Sequence, residues 1–193
     1  MSLFEQLQVV LVTPSWVSYE PQAHLLGHPV SRIKTESNNR WSLTPDQLDA
    51  HLASLDTHIP KLLIINYPSN PTGQTYTDSE LESFAAVLKS HQCIVISDEI
   101  YGFLTYDGSH KSFIDAYPEG CIVTSGLSKW CGAGGWRLGV AIVGSGLLAD
   151  LTEPLLGIGS ESYSSASSPV QLAAITAYSS DEIYPYLEKQ NHI

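Results

Sequence analysis

Basic residues are scarce in this chain. Nine Lys and Arg stand against twenty Asp and Glu, for a net charge of −11. A nucleic-acid backbone needs a basic face, so that partner class is excluded, whereas a small anion in a locally positive pocket is not. Cysteine is scarce as well. Cys93, Cys121 and Cys131 are odd in number and form no CxxC, which excludes a disulfide framework. Two of them lie in apolar runs and read as core; Cys131, near Lys129, lacks a base partner that would make it a catalytic thiol. No apolar run reaches the length that crosses a bilayer. The opening Met-Ser-Leu-Phe-Glu-Gln has neither the basic nor the apolar region of a secretory signal. A cytoplasmic protein with no membrane partner is the expectation. His24 and His28 have helical spacing, but Gly27 and Pro29 interrupt the helix that would align them as zinc ligands.

What is present describes one globular domain with a full core. The chain has 193 residues, 43% hydrophobic and 15% charged. Short β-branched or apolar runs occur at 9–13, 61–66, 93–97 and 121–125, of the kind buried in parallel sheets. Further extended stretches cover about 29–35 and 138–143. Between them lie helical patterns. One covers 18–26. Two more open on capping-box signatures, Thr44-Pro45-Asp46-Gln47 and Thr77-Asp78-Ser79-Glu80. Beyond residue 147 the pattern predicts a helix to about 156 and a Ser/Gly-rich break over 157–168. A longer helix is then expected from Pro169 to the end, kinked at Pro185. The alternation predicts an α/β fold, three layers α/β/α around a mostly parallel sheet. The last helix has no terminal cap and the first core strand comes almost at once, so both ends read as cut from something larger.

Four strands end on residues of chemical interest: Trp16, Asn70, Asp98 with Tyr101, and Lys129. In a parallel sheet these ends share one edge, where ligands bind. Each has a plain structural explanation. Trp16 suits core or rim, Asn70 a turn, Asp98 a helix cap, and Tyr101 simple packing. Their joint placement at consecutive strand ends is what those explanations leave out. Lys129 lies in Thr124-Ser125-Gly126-Leu127-Ser128-Lys129-Trp130, followed by glycines at 132, 134 and 135 and by Arg137. An amine buried among apolar neighbours loses affinity for its proton and becomes a nucleophile toward an aldehyde. The cofactor that fits is pyridoxal 5′-phosphate, whose ring nitrogen needs an acidic partner. Asp98 supplies the acid, and Asn70 and Tyr101 supply donors to the phenolate. Arg137 and the open backbone of 132–135 suit the phosphate, and Trp16 suits the ring face. A dinucleotide site at those glycines is disfavoured, because a strand rather than a helix follows them.

The sequence resembles the fold-type I, class I/II pyridoxal-phosphate aminotransferases. The likeness rests on Asn70-Pro71-Thr72-Gly73, Ser97-Asp98-Glu99-Ile100-Tyr101, Gly126-Leu127-Ser128-Lys129 and Gly135-Trp136-Arg137-Leu138-Gly139, with Pro14-Ser15-Trp16-Val17-Ser18-Tyr19 similar to the cofactor-stacking segment. It implies that Lys129 forms the internal aldimine and shuttles the substrate proton. It further implies that Asp98 faces the pyridine nitrogen, that Tyr101 and Asn70 hold the 3′-oxygen, that Arg137 holds the phosphate, and that Trp16 covers the ring. The implied substrates are an amino acid and a 2-oxo acid, and the implied full-length form is a homodimer. Gly126 departs from the pattern, since many members carry a phosphate-binding serine there; Ser125 or Ser128 is the expected substitute. Members are about twice as long, so residues 1–193 correspond to an incomplete large, cofactor-binding domain without the N-terminal segment and C-terminal small domain. A carbon–sulfur β-lyase, an aminocyclopropane-carboxylate synthase-like enzyme and a non-catalytic remnant are alternatives on the same scaffold.

Overall fold

Alternation of side chains along two central strands sets the layers. In β1 (Gln8–Thr13), Val9 and Leu11 go to one face of the sheet and Val10 to the other. In β3 (Lys61–Asn66), Leu62 and Ile64 share the first face, Leu63 and Ile65 the second. Both sets are buried, so both faces must be covered, as a parallel sheet requires. Tyr19 and Ala23 of α1 (Tyr19–Leu25) pack on the first face. The second is covered by Leu48 and Leu52 of α2 (Pro45–Ala53), by Leu81, Phe84 and Leu88 of α3 (Asp78–Ser90), and by Phe113 of the one-turn α4 (Phe113–Ala116). Each large apolar side chain fully buried there stabilises by about 1.5–3 kcal/mol. The computed structural model describes residues 1–106 and 110–191.

The sheet has six strands in the order β2-β1-β3-β4-β5-β6, with β2 (Val30–Lys34), β4 (Ile94–Asp98), β5 (Cys121–Gly126) and β6 (Gly139–Val143). All neighbours run parallel except β5 and β6. The segment 127–138 carries only a 3-10 turn, too little for the helical crossover that a parallel return needs, so β6 comes back antiparallel. The chain winds outward from β1 to β2, then returns on the other side of β1 to build β3, β4 and β5. The order therefore reverses between β1 and β3, the switch point at which open sheets bind ligands.

Both capping boxes form. Thr44 Oγ1 accepts from Gln47 N and the Gln47 side chain accepts from Thr44 N; Thr77 and Glu80 do the same. The C-terminal third differs from expectation. Gly157 and Gly159 lie inside α5 (Thr152–Tyr163), and the break falls at 164–167, where Ser164 takes φ +63°. Two helical glycines cost about 1 kcal/mol each, yet the helix runs through both. Gly159 is buried, and a β-carbon there would sit 3.0 Å from the hydroxyl of the exposed Tyr163. α6 (Ser168–Ser179) ends before an extended Ser180, and α7 (Ile183–Asn191) begins afresh. Pro185 falls in the first turn of α7, where no intrahelical N–H bond is lost, so it introduces no kink. α6 and α7 pack on the lysine-bearing loop through Ala174, Val170 and Leu187 against Leu127, Trp130 and Leu138. A wide apolar trough of about 1510 Å³ lies open between β6, α5 and α6, with Leu156 and Ile175 on its wall exposed. Among the described residues no helix is long and apolar enough to cross a membrane, and no cluster could hold a metal ion.

Candidate active site

Adjacent strands β1, β3, β4 and β5 release their loops at one edge of the sheet. There the side chains expected from sequence come together. Trp16, Asn70, Asp98, Tyr101, Lys129 and Arg137 all line one cleft of about 470 Å³, a size suited to a small cofactor. The 3-10 turn Gly134–Trp136 closes one side, and Gly134 lines the wall.

Asp98 is the electrostatic centre of this cleft. Burial raises its pKa above the ordinary carboxylate value. The hydrogen bonds from Tyr19 and the Ile100 amide and the nearby Lys129 ammonium pull it back down, while Glu99 pushes it up. The Tyr19 hydroxyl donates to Asp98 Oδ2 at 2.5 Å, and the Ile100 N–H donates to Oδ1 at 3.2 Å. Tyr19 also meets Trp16 edge-on, with ring centroids 5.3 Å apart. One buried tyrosine thus steadies both the acid and the exposed aromatic. Sequence reasoning missed it. The only local signal is an aromatic three residues beyond Trp16, because its partner is 79 residues away.

Lys129 is exposed in the cleft, rather than buried among apolar side chains as the glycine-rich context suggested. Trp130 takes the buried position instead, under Phe103 and Tyr178. The Lys129 ammonium lies 5.4 Å from the Tyr101 ring centroid, a cation–π distance. Arg137 adopts φ +56°, a left-handed conformation that a non-glycine residue occupies at a cost of about 1–3 kcal/mol. Its Nη1 donates to the Gly134 carbonyl at 2.6 Å, fixing the guanidinium at the cleft wall. Lys129 and Arg137 make this the basic spot of an acidic chain.

Gly126 does not line the cleft. A β-carbon there would meet the Leu138 carbonyl oxygen at 2.7 Å and the Gly139 α-carbon at 3.1 Å, so the pairing of β5 with β6 demands glycine. Ser125 and Ser128 stand in the cleft wall instead, with Thr124, as the hydroxyls on that side.

Below the cleft, Glu99 anchors the turn that carries Tyr101. It is buried, and its Oε1 accepts from Ser97 Oγ at 2.8 Å, Ser112 Oγ at 3.0 Å, Phe113 N at 3.0 Å and the Tyr67 hydroxyl at 3.3 Å. His110 Nε2 donates to Oε2 at 2.9 Å. Desolvation pushes the Glu99 pKa up, but the bonds from His110, Phe113, Ser97 and Ser112 together hold it below its ordinary value.

A lysine amine and a half-buried acid sharing a cleft at the carboxyl edge of such a sheet are the groups that a pyridoxal-phosphate protein needs. The sequence profile of the family described as aminotransferase class I and II matches residues 1–192, and the chain belongs to that family. Family members depend on pyridoxal phosphate. The chain is 37% identical over 176 residues to an aspartate aminotransferase of Geobacillus stearothermophilus, covering 89% of this chain and 43% of that protein. It is 36% identical over 180 residues to the aspartate aminotransferase of Bacillus subtilis (strain 168), covering 91% and 44%. The solved structure of the aspartate aminotransferase from Thermus thermophilus with maleate matches 98% of this chain and 48% of its own at a TM-score of 0.87 and 25% identity. The aromatic aminotransferase from Pyrococcus horikoshii OT3 matches 99% and 50% at 0.86 and 30%. The chain spans less than half the length of these curated relatives.

Proposed function

We propose that this chain forms the cofactor side of an aminotransferase that exchanges an amino group between an amino acid and a 2-oxo acid, with Lys129 as the reacting amine. The observation that carries this reading is the gathering of Lys129, Asp98, Tyr101, Asn70, Arg137 and Trp16 in one cleft. That donor set fits pyridoxal phosphate. When bound, the cofactor supplies an aldehyde for amines and an electron sink for the substrate carbanion. The residues supply the rest. Asp98, as a carboxylate, holds a proton on the ring nitrogen. Asn70 and Tyr101 direct donors at the phenolate oxygen. Arg137 Nη and the hydroxyls of Ser125 and Ser128 take the phosphate. Trp16 covers one ring face. With the cofactor in place, Lys129 Nζ would take the proton from the substrate α-carbon and deliver it to the carbon that carried the cofactor's aldehyde. A homodimer of the longer chain and a cytoplasmic location belong to the same proposal; three cysteines without disulfides suit a reducing compartment.

The test is direct. With pyridoxal phosphate bound, adding an amino acid is expected to shift the cofactor absorption band and release the corresponding 2-oxo acid. A second 2-oxo acid should then restore the band and leave as its amino acid. Pyruvate and ammonia in place of these products would replace transamination by β-elimination.

The pH dependence has a definite sign. Asp98 serves the ring nitrogen only when ionised, so cofactor affinity is expected to fall as pH drops through its raised pKa. Tyr19→Phe removes a hydrogen bond that lowers that pKa. Such a bond to a charged group is worth about 1.5–3 kcal/mol. In the variant the acid limb of the affinity profile is expected to move to higher pH. A titration of cofactor binding against pH measures this, and an unmoved limb removes Tyr19 from the site.

A further inference from the structure

The last residue of β3 is an asparagine in an otherwise apolar strand, Lys-Leu-Leu-Ile-Ile-Asn. Asparagine is depleted in strands, so strand propensity does not account for it. Its carboxamide is used at both ends. Nδ2 donates to the Asp98 carbonyl at 2.8 Å, and Oδ1 accepts from the Asn70 backbone N–H at 2.7 Å. Only this orientation of the amide works, because the flipped one would set oxygen against oxygen and N–H against N–H. The Asp98 carbonyl also accepts from Tyr67 N at 3.2 Å. Asn66 itself lies in the cleft wall beside both residues.

We infer that Asn66 is a positioning residue. It acts through Asn70 and Asp98, fixing the spacing of the two groups that would meet the phenolate oxygen and the ring nitrogen of the cofactor. The inference rests on the reading of the cleft as a pyridoxal-phosphate site. A small rigid ring with two polar contacts tolerates little change in their separation. Asn70 opens the turn after β3 and Asp98 ends β4. The Asn66 amide clamps the start of that turn to the end of the neighbouring strand beyond the last paired residues, Asn66 and Asp98.

Two variants and a cycle test this. Asn66→Leu removes both bonds at nearly constant volume. Asn66→Asp keeps an acceptor for the Asn70 N–H and loses the donor to Asp98. In the cofactor-free chain, exchange of the Asn70 amide, followed by nuclear magnetic resonance, is expected to quicken about tenfold in Asn66→Leu and to stay slow in Asn66→Asp. With pyridoxal phosphate, Asn66→Leu is expected to raise the Kd about tenfold or more. On an Asn70→Ala background the same substitution should lose a large part of that effect, because half of its action has already gone. A purely structural role would multiply the two effects independently and follow the loss of unfolding free energy. Full multiplication, or Asn70 exchange unchanged in Asn66→Leu, overturns the inference. A wild-type chain that binds pyridoxal phosphate while Asn66→Leu binds it equally well overturns the inference alone. A wild-type chain that binds none overturns the cofactor reading and the role of Asn66 with it.

Discussion

Lys129→Ala is expected to abolish the borohydride-stable adduct between this chain and pyridoxal phosphate. Reduction followed by peptide mass mapping measures it: one modified peptide, carrying Lys129, in the wild type, and none in the variant. Lys129 is the lysine in the cleft; the other lysines and arginines, Arg137 apart, lie outside its walls. Lys89 and Lys111 are paired with Glu119 and Asp78, and Lys61 is buried at the start of β3. Lys34 and Lys189 are exposed, but among the described residues no second lysine lines the cleft. Catalysis suffers more than binding does. A positioned proton carrier contributes on the order of 10²–10⁴-fold, and the variant loses that as well as the covalent link. Because Lys129 is exposed, the substitution leaves no cavity, and stability is expected to change by under about 0.5 kcal/mol. Unchanged unfolding with the adduct gone therefore separates chemistry from folding. An adduct that persists at another lysine would sink the assignment.

The second large effect is on stability. Glu99→Ala is expected to destabilise the chain by about 3–5 kcal/mol, because it removes a buried carboxylate that accepts several hydrogen bonds. The carboxylate satisfies Ser97, Ser112, the Phe113 amide and His110 at once, whereas the Tyr67 hydroxyl also has the Lys111 carbonyl at 3.0 Å. Removing it leaves buried donors without a partner, each costing about 1–3 kcal/mol. His110 is already short of one contact, since its Nδ1 is buried with no hydrogen-bond partner among the described residues. Its ring leaves no room for a side chain at Gly102, where a β-carbon would come within 2.8 Å of it. The turn that presents Tyr101 is held from beneath by these contacts. Urea unfolding is the measurement, with Glu99→Gln as the milder variant. The pH dependence of the loss follows from the direction of the shift. A carboxylate whose folded pKa is lowered contributes stability above its ordinary pKa and loses it as pH falls through the folded value. Wild type and Glu99→Gln should therefore differ most near neutrality and converge in acid. Asp98, with its raised value, acts in the opposite sense: its contribution is present at low pH and fades as pH rises through the folded pKa.

Strands, capping boxes and the order of the chemical residues were determined by the sequence itself. These are local properties. An apolar run such as 61–66 needs burial on both sides wherever it sits, and Thr44 and Thr77 find their partners three residues on. Lys129, Asp98 and Asn70 were legible for a related reason: each ends or follows a strand, and parallel strands must release their loops at one edge. What lay beyond local reach was decided by tertiary contact. Tyr19, just after β1, reaches Asp98 at the end of β4 past the intervening β3, and its place near Trp16 does not announce that partner. Glycine propensity placed a break at 157–168, but the helix continues through Gly157 and Gly159 and the break falls at 164–167. The lysine loop reads as an apolar cradle in sequence. In the fold, Trp130 and Leu127 take the buried positions against α6 and α7, which leaves Lys129 facing the cleft and Arg137 in a strained left-handed turn. Sequence settles which groups are available, because composition and short-range geometry are carried along the chain. Which of them touch depends on how helices and strands far apart in sequence pack together.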